Sequence, residues 1–158
     1  MADAPQAGDR APDFDLPTDS GRISLAALKG QVVVLYFYPK DNTSGCTTQA
    51  IGFSEATDDF AKAGAVVVGV SKDSEKSHGR FRAKHGLKVE LGSDPDAQVI
   101  ERYGVWVEKS LYGRKYMGIE RATFLIDREG AIRRVWHKVK VPGHVDQVLA
   151  EVKALAST

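Results

Sequence analysis

Two apolar runs, VVVLYFY at residues 32–38 and AVVVGVS at 65–71, constrain this chain more than any other feature. Neither alternates with polar residues, and both are rich in β-branched or aromatic side chains, the pattern of strands covered on both faces. Pro39 stops the first run. From Cys46 to Ala63 the apolar residues Ala50, Phe53, Ala56 and Phe60 recur every three or four positions, and Gly64 follows where a helix closes most easily. That spacing predicts a helix. Strand, helix and strand in this order make a parallel, right-handed βαβ unit, because parallel neighbours need a crossover and the crossover has one favoured hand.

The remaining chain supplies the flanks of a sheet. FDLPTDSGRISLAAL (14–28) has two short alternating segments around TDSG, which predicts a β-hairpin at a sheet edge. Residues 74–86 read as a shorter helix closed by Gly86, and Pro95 opens a further helix, PDAQVIERYG. Residues 105–120 are expected to be irregular. ATFLID and AIRRVWHKV are strands separated by REG, a hairpin signature, and 143–156 is a final amphipathic helix. Residues 1–10 are small and polar and read as a loose lead-in. At 158 residues, 42% of them hydrophobic, the chain suits a single domain spanning 1–158. The class is α/β, with a central mixed sheet flanked by helices on both faces and its functional loops at the carboxyl ends of the strands.

Charge argues against several partners. Lysine and arginine number 22 against 21 acidic residues, so a net charge of +1 gives no field to gather nucleic acid or an anionic membrane. The basic residues of the last hairpin, Arg128, Arg133, Arg134, His137, Lys138 and Lys140, read as a solvated strand face rather than a nucleic-acid site. The N-terminus has neither a secretory signal nor an anchor, and no apolar run approaches membrane-spanning length, so the expected setting is the cytoplasm. His78, His85, His137 and His144 show no metal-ligand spacing, and no metal is expected.

The single cysteine, Cys46, stands in YPKDNTSGCTTQA (38–50). A core cysteine usually replaces a small apolar residue within a strand or helix face. This one follows a polar turn of Asp41, Asn42, Thr43 and Ser44 and opens the predicted helix. The free amides and aligned dipoles of a helix's first turn favour an anion there, and hence a thiolate, the nucleophilic form of the group. Thr43, three residues earlier, is expected to bring its hydroxyl near the sulfur, Pro39 to wall the thiol from water, and Gly45 to allow close backbone approach.

Pro39, Thr43 and Cys46 match the Pro-x-x-x-Thr-x-x-Cys motif of peroxiredoxins, and YFYPKDNTSGCTTQA resembles the bacterioferritin comigratory protein (PrxQ) subfamily in particular. GIERATFLIDREG (118–130) resembles the segment that carries that subfamily's active-site arginine, here Arg121. The similarity runs from about Pro12 to Leu149. It implies a thioredoxin-like fold with an N-terminal hairpin extension. It also implies an antioxidant peroxidase, an oxidoreductase with a redox-active cysteine and no metal, haem or flavin. By the same resemblance, the Cys46 thiolate is expected to attack hydrogen peroxide or an organic hydroperoxide and become a sulfenic acid, Arg121 and Thr43 to orient the peroxide and stabilise the leaving oxygen, and Pro39 to shield the site.

One departure bears on the mechanism. Many members of the subfamily carry a resolving cysteine five residues after the reactive one, and others carry it in the next helix. Those places hold Ile51 and Arg82 here. The sulfenic acid is therefore expected to need an external thiol, with thioredoxin or glutaredoxin and glutathione as candidates, in a one-cysteine mechanism run by a monomer or weak dimer. Trp106, Leu111, Tyr112, Tyr116 and Met117, an aromatic-rich stretch before Arg121, read as cover for the core. The alternative reading is a redox-sensing or chaperone-like binding module with a non-catalytic thiol.

Overall fold

A seven-stranded sheet organises the computed structural model, which describes residues 4–156. Its centre is β3 (Val32–Phe37), paired in parallel with β4 (Ala65–Ser71) and antiparallel to β8 (Ala122–Ile126). Beyond β4 lies β5 (Glu90–Ser93), parallel to it, and then the hairpin of β1 (Asp15–Thr18) and β2 (Gly21–Ser24); β9 (Ile132–Trp136) closes the other edge. Every residue of β3 is buried, which is why its sequence carries no polar alternation.

Successive β3 side chains feed two different cores. Val33, Leu35 and Phe37 pack with Val68, Val70, Phe124 and Ile126, and with Val99 and Ile100 of the short helix α4 (Gln98–Arg102). Val34 and Tyr36 pack on the opposite face with Phe53 of α1 (Ser44–Glu55), Phe60 of α2 (Thr57–Lys62), Phe81 of α3 (Glu75–His85) and Val148 and Val152 of α5 (His144–Ala156). The predicted hairpin, βαβ unit and final helix are all present, with β2 at the sheet edge.

Four local expectations are corrected. The helix predicted from Cys46 to Ala63 is two helices that meet at Ala56, where the Thr57 hydroxyl donates to the Phe53 carbonyl at 3.1 Å; such back-bonding bends a helix. Pro95 does not open α4. Asp94 does, its Oδ1 accepting from the Gln98 amide at 3.1 Å and its Oδ2 from the Ile100 amide at 2.8 Å, while Ala97 takes a left-handed conformation. Residues 105–120 are not irregular but contain a two-stranded ribbon of β6 (Trp106–Leu111) and β7 (Arg114–Ile119), turned through Tyr112 and Gly113, both at positive φ. The last strand ends at Trp136 rather than running through Val139, whose amide donates instead to the Arg121 carbonyl.

In the stretch read as a loose lead-in, Gly8 donates to the Ile132 carbonyl at 2.8 Å and the Ile132 amide to the Asp9 carbonyl at 2.8 Å. Arg10 bridges Ala131. Residues 1–3 of that stretch lie outside the described residues.

Candidate active site

The loop that carries the cysteine begins where β3 leaves the sheet. Tyr38 is buried and donates its amide to the Val70 carbonyl, so the chain is still held by β4 when it reaches the half-buried Pro39. Asn42 then takes a left-handed φ of 61°, a conformation that asparagine tolerates better than most residues, and Thr43 returns to extended geometry as the N-cap of α1. Cys46 falls in the first turn of α1 with 1% of its surface exposed.

Arg121 arrives from the opposite side of the sequence. It sits in the short link between β7 and β8, anchored by the Glu120 amide donating to the Val105 carbonyl and by its own carbonyl accepting from Val139. Its Nη2 donates to Cys46 Sγ at 3.3 Å, and its Nη1 donates to Gln49 Oε1 at 2.6 Å. One guanidinium therefore grips both the sulfur and a residue one helical turn beyond it, a geometry suited to its fixed fork of donors. Gly45 makes the approach possible: a Cβ there would lie 3.2 Å from Arg121 Nη2.

Three of the four expected site residues are thus placed on one loop and helix start, and the fourth is brought to them. Cys46 and Arg121 touch. The Thr43 hydroxyl is turned to the Lys40 carbonyl, to which it donates at 2.8 Å, and among the described residues it makes no hydrogen bond to the sulfur. Pro39 occupies the exit from β3.

Gln49 is a site residue that the sequence reading did not pick out. It is fully buried, and its Nε2 has no partner among the described residues. The signal was its spacing, three positions after Cys46 on the same helix face. Lys109 of β6 was missed too, because it lies on the ribbon that was read as irregular. Burial first, and then the Arg121 charge, push its ammonium below the ordinary lysine value. Under the site, Tyr36 stacks on Phe53 with ring centroids 4.7 Å apart. Its hydroxyl is held far above the ordinary tyrosine range by burial and then by the charge of the Cys46 sulfur, so it stays neutral.

The AhpC/TSA family matches this chain over residues 7–135. The chain belongs to that family. Within it the chain is a peroxiredoxin of the bacterioferritin comigratory protein (PrxQ) kind, and its fold is thioredoxin-like. A putative peroxiredoxin Bcp of Coxiella burnetii is 54% identical over 148 residues, covering 93% of this chain and 98% of that relative. A cysteine-to-serine variant of Xylella fastidiosa PrxQ superposes with a TM-score of 0.91 at 40% identity, covering 99% of both chains. The Xanthomonas campestris bacterioferritin comigratory protein, solved in work on its alkyl peroxide reduction activity, gives a TM-score of 0.86 at 46% identity over 90% of this chain and 92% of its own. Xanthomonas campestris peroxiredoxin Q, 46% identical to this chain, has been solved as two cysteine-to-serine variants whose positions are spaced as Cys46 and Arg82 are spaced here.

In this family member, Arg82 of α3 has a different occupation. Its Nε and Nη2 donate to the two carboxylate oxygens of Asp19 at 2.6 and 3.1 Å, and Nη1 and Nη2 donate to the Leu87 and Val89 carbonyls, each at 2.8 Å. The side chain ties α3 to the turn of the N-terminal hairpin. Ile51, the other place considered for a second cysteine, is half-buried against the core. Among the described residues, no helix is long and apolar enough to cross a membrane, and no group of three or more histidine, cysteine, aspartate or glutamate residues is set to hold a metal ion.

Proposed function

We propose that this peroxiredoxin is a thiol peroxidase that reduces hydrogen peroxide and organic hydroperoxides through a sulfenic acid on Cys46 and depends on an external thiol for its return. The observation that carries the reading is the contact between Arg121 Nη2 and Cys46 Sγ. A guanidinium that already donates to the sulfur has further donor capacity for a peroxide oxygen held beside it. The alkyl peroxide reduction activity of the Xanthomonas relative supports the same class of substrate.

The thiolate attacks one peroxide oxygen. An S–O bond forms and the O–O bond breaks, and the electron pair of that bond leaves on the second oxygen, which takes up a proton and departs as water or an alcohol. Arg121 stabilises charge on that leaving oxygen, as fixed donors do most effectively where water is excluded. Thr43 acts on the peroxide from the other wall, and Pro39 keeps bulk water from the thiol. For Thr43 the task is limited to the lone pairs of its oxygen, or to a hydroxyl that leaves the Lys40 carbonyl when peroxide binds.

Since Cys46 is the only cysteine, the sulfenic acid has no intramolecular partner. A thiol from thioredoxin, or from glutathione with glutaredoxin, displaces water to give a mixed disulfide, and a second thiol releases Cys46. The protein works as a monomer or weak dimer in the cytoplasm, where such thiols are kept reduced.

The test is to mix reduced protein with one equivalent of hydrogen peroxide in a stopped-flow instrument, following fluorescence from Trp106 and Trp136 and trapping the product for mass analysis. Rapid formation of a Cys46 sulfenic acid is the expected result. Oxidation at the pace of an unassisted thiol returns the protein to the class of binding modules with a non-catalytic cysteine.

A further inference from the structure

Asp41 stands in the loop between Pro39 and Thr43, yet only 6% of its surface is exposed. A buried carboxylate needs donors, and this one has them. Oδ1 accepts from the Tyr38 hydroxyl at 2.7 Å, and Oδ2 accepts from the Ser77 hydroxyl and from His78 Nδ1, both at 2.8 Å. The Asp41 amide donates in turn to Asp73 Oδ2 at 2.8 Å, and that carboxylate also receives the Ser71 hydroxyl at 2.7 Å. Burial alone raises the Asp41 carboxyl; His78, Tyr38 and Ser77 overcome that and hold it below its ordinary value.

His78 is fully buried on α3, and its second ring nitrogen, Nε2, lies 3.1 Å from the Gly92 carbonyl oxygen of β5. A carboxylate and a carbonyl have no proton to give. The Tyr38 hydroxyl, 3.4 Å from Nδ1, gives its proton to Asp41 at 2.7 Å instead, so both ring nitrogens donate, and only the imidazolium can do that. The result is a buried ion pair that joins three elements: the cysteine loop through Asp41, α3 through His78 and Ser77, and the sheet through Tyr38 and Gly92.

We propose that Asp41 and a doubly protonated His78 are positioning residues for the peroxide reaction, fixing the loop that delivers Cys46 to Arg121. The proposal rests on the peroxidase reading. The chain from Pro39 to Thr43 has no strand or helix of its own, so its course depends on side-chain anchors. Thr43 and Asn42 are exposed at the surface, whereas Asp41 is tied to Tyr38 just past β3, to His78 of α3 and, through its amide, to Asp73 just past β4. Asn42 adds a lesser tie to the same helix, its Oδ1 lying 3.2 Å from His85 Nε2. Attack on a peroxide demands that sulfur, oxygen and guanidinium be aligned, and a small displacement is costly in rate.

Two measurements test this. The first is the ¹⁵N spectrum of the histidine rings in reduced protein at neutral pH, where His78 should show two protonated nitrogens in wild type and one in Asp41→Asn. The second is the rate constant for Cys46 oxidation by hydrogen peroxide, set beside the rate of alkylation by iodoacetamide, which makes no demand on peroxide alignment. Asp41→Asn should slow oxidation by about 10- to 100-fold without slowing alkylation. Adding His78→Gln, which replaces the charged pair by two amides, should recover part of the loss. Ser77→Ala, which removes one donor and buries no new charge, should give a smaller loss in the same direction and covers the case in which Asp41→Asn does not fold. A His78 ring with one unprotonated nitrogen in wild type overturns the proposal, as does oxidation of a folded Asp41→Asn or Ser77→Ala protein at the wild-type rate. Failure of the peroxidase reading would look different: wild type itself would react slowly, with the His78 spectrum unaffected.

Discussion

The guanidinium that donates to Cys46 Sγ also donates to Gln49 Oε1, at 2.6 Å from Arg121 Nη1. Gln49 thus fixes the arginine from within the same helix that presents the sulfur, and sulfur and arginine share one reference frame. Replacing Gln49 by alanine removes the acceptor and leaves Arg121 free to rotate. We expect a loss of about tenfold in the rate of peroxide oxidation, smaller than the loss of about 10²-fold or more for Arg121→Ala, since a direct charge-stabilising donor is worth more than its support. Stopped-flow fluorescence on both variants ranks the two effects; an Arg121→Ala protein that oxidises as fast as wild type removes the arginine from the mechanism.

Gly45 offers a finer probe of the same contact. Alanine there places a Cβ 3.2 Å from Arg121 Nη2, a contact that the flexible end of the side chain relieves by moving a few tenths of an ångström. The fold should barely notice, because nothing in the backbone has to shift. The reaction should notice, since the distance that changes is the one between guanidinium and sulfur. Gly45→Ala is expected to keep the wild-type urea midpoint while losing peroxide reactivity, and a loss of both together would mean that Gly45 serves the helix start instead.

The parts of this molecule that could be read from its sequence are those whose signal is local and one-dimensional. The runs around Val34 and Val67 had to be buried strands because no face of either is polar, and Gly86 ended α3 because a left-handed residue was needed at that point. Cys46 was conspicuous as a thiol among turn residues. Other features depended on distant partners. The ribbon of β6 and β7 buries Ile119 but leaves Leu111, Tyr112, Tyr116 and Met117 exposed instead of covering the core, so its strands carry no continuous buried face to declare them, and Tyr112 is an unexpected residue for a left-handed turn. The start of α4 belonged to Asp94 and not to Pro95, since a carboxylate that accepts two amides outweighs a proline's fixed φ. Gln49 and Asp41 are ordinary helix and loop residues until Arg121 and His78 are brought beside them, and those pairings were set by the fold.

Arg82 should matter to stability in proportion to its four donations. Its guanidinium ties α3 to Asp19 and also satisfies the Leu87 and Val89 carbonyls as the chain turns into β5. Substituting alanine leaves the Asp19 carboxylate, 9% exposed, and two carbonyls without that partner. The expected cost is about 1–3 kcal/mol, seen as a lower urea midpoint at unchanged m-value. A midpoint equal to that of wild type would show that water replaces the guanidinium without penalty.

His144 makes a prediction about pH. Its ring is buried at the start of α5, with Nε2 2.8 Å from Thr123 Oγ1 and its face edge-on to Phe53 and Trp136. Burial pushes the imidazole down from 6.5 to about 4, against the opposing hydrogen bond of Gln147 and with a lesser push from the Arg121 charge. Above the unfolded value both states are neutral, and the residue adds no pH dependence. As the pH falls from about 6.5 towards 4, the unfolded chain takes up a proton that the folded protein refuses, so stability is progressively lost across that window; below it both states are protonated and the loss is complete. The depressed value corresponds to roughly 3 kcal/mol across the whole interval. Urea titrations of wild type and His144→Gln between those limits isolate this contribution from that of the carboxylates, which both proteins share. Glutamine can still bond Thr123 but cannot take a proton, so the wild-type curve should fall more steeply on acidification than the variant's, and parallel curves would mean that the His144 ring titrates alike in the folded and unfolded chain.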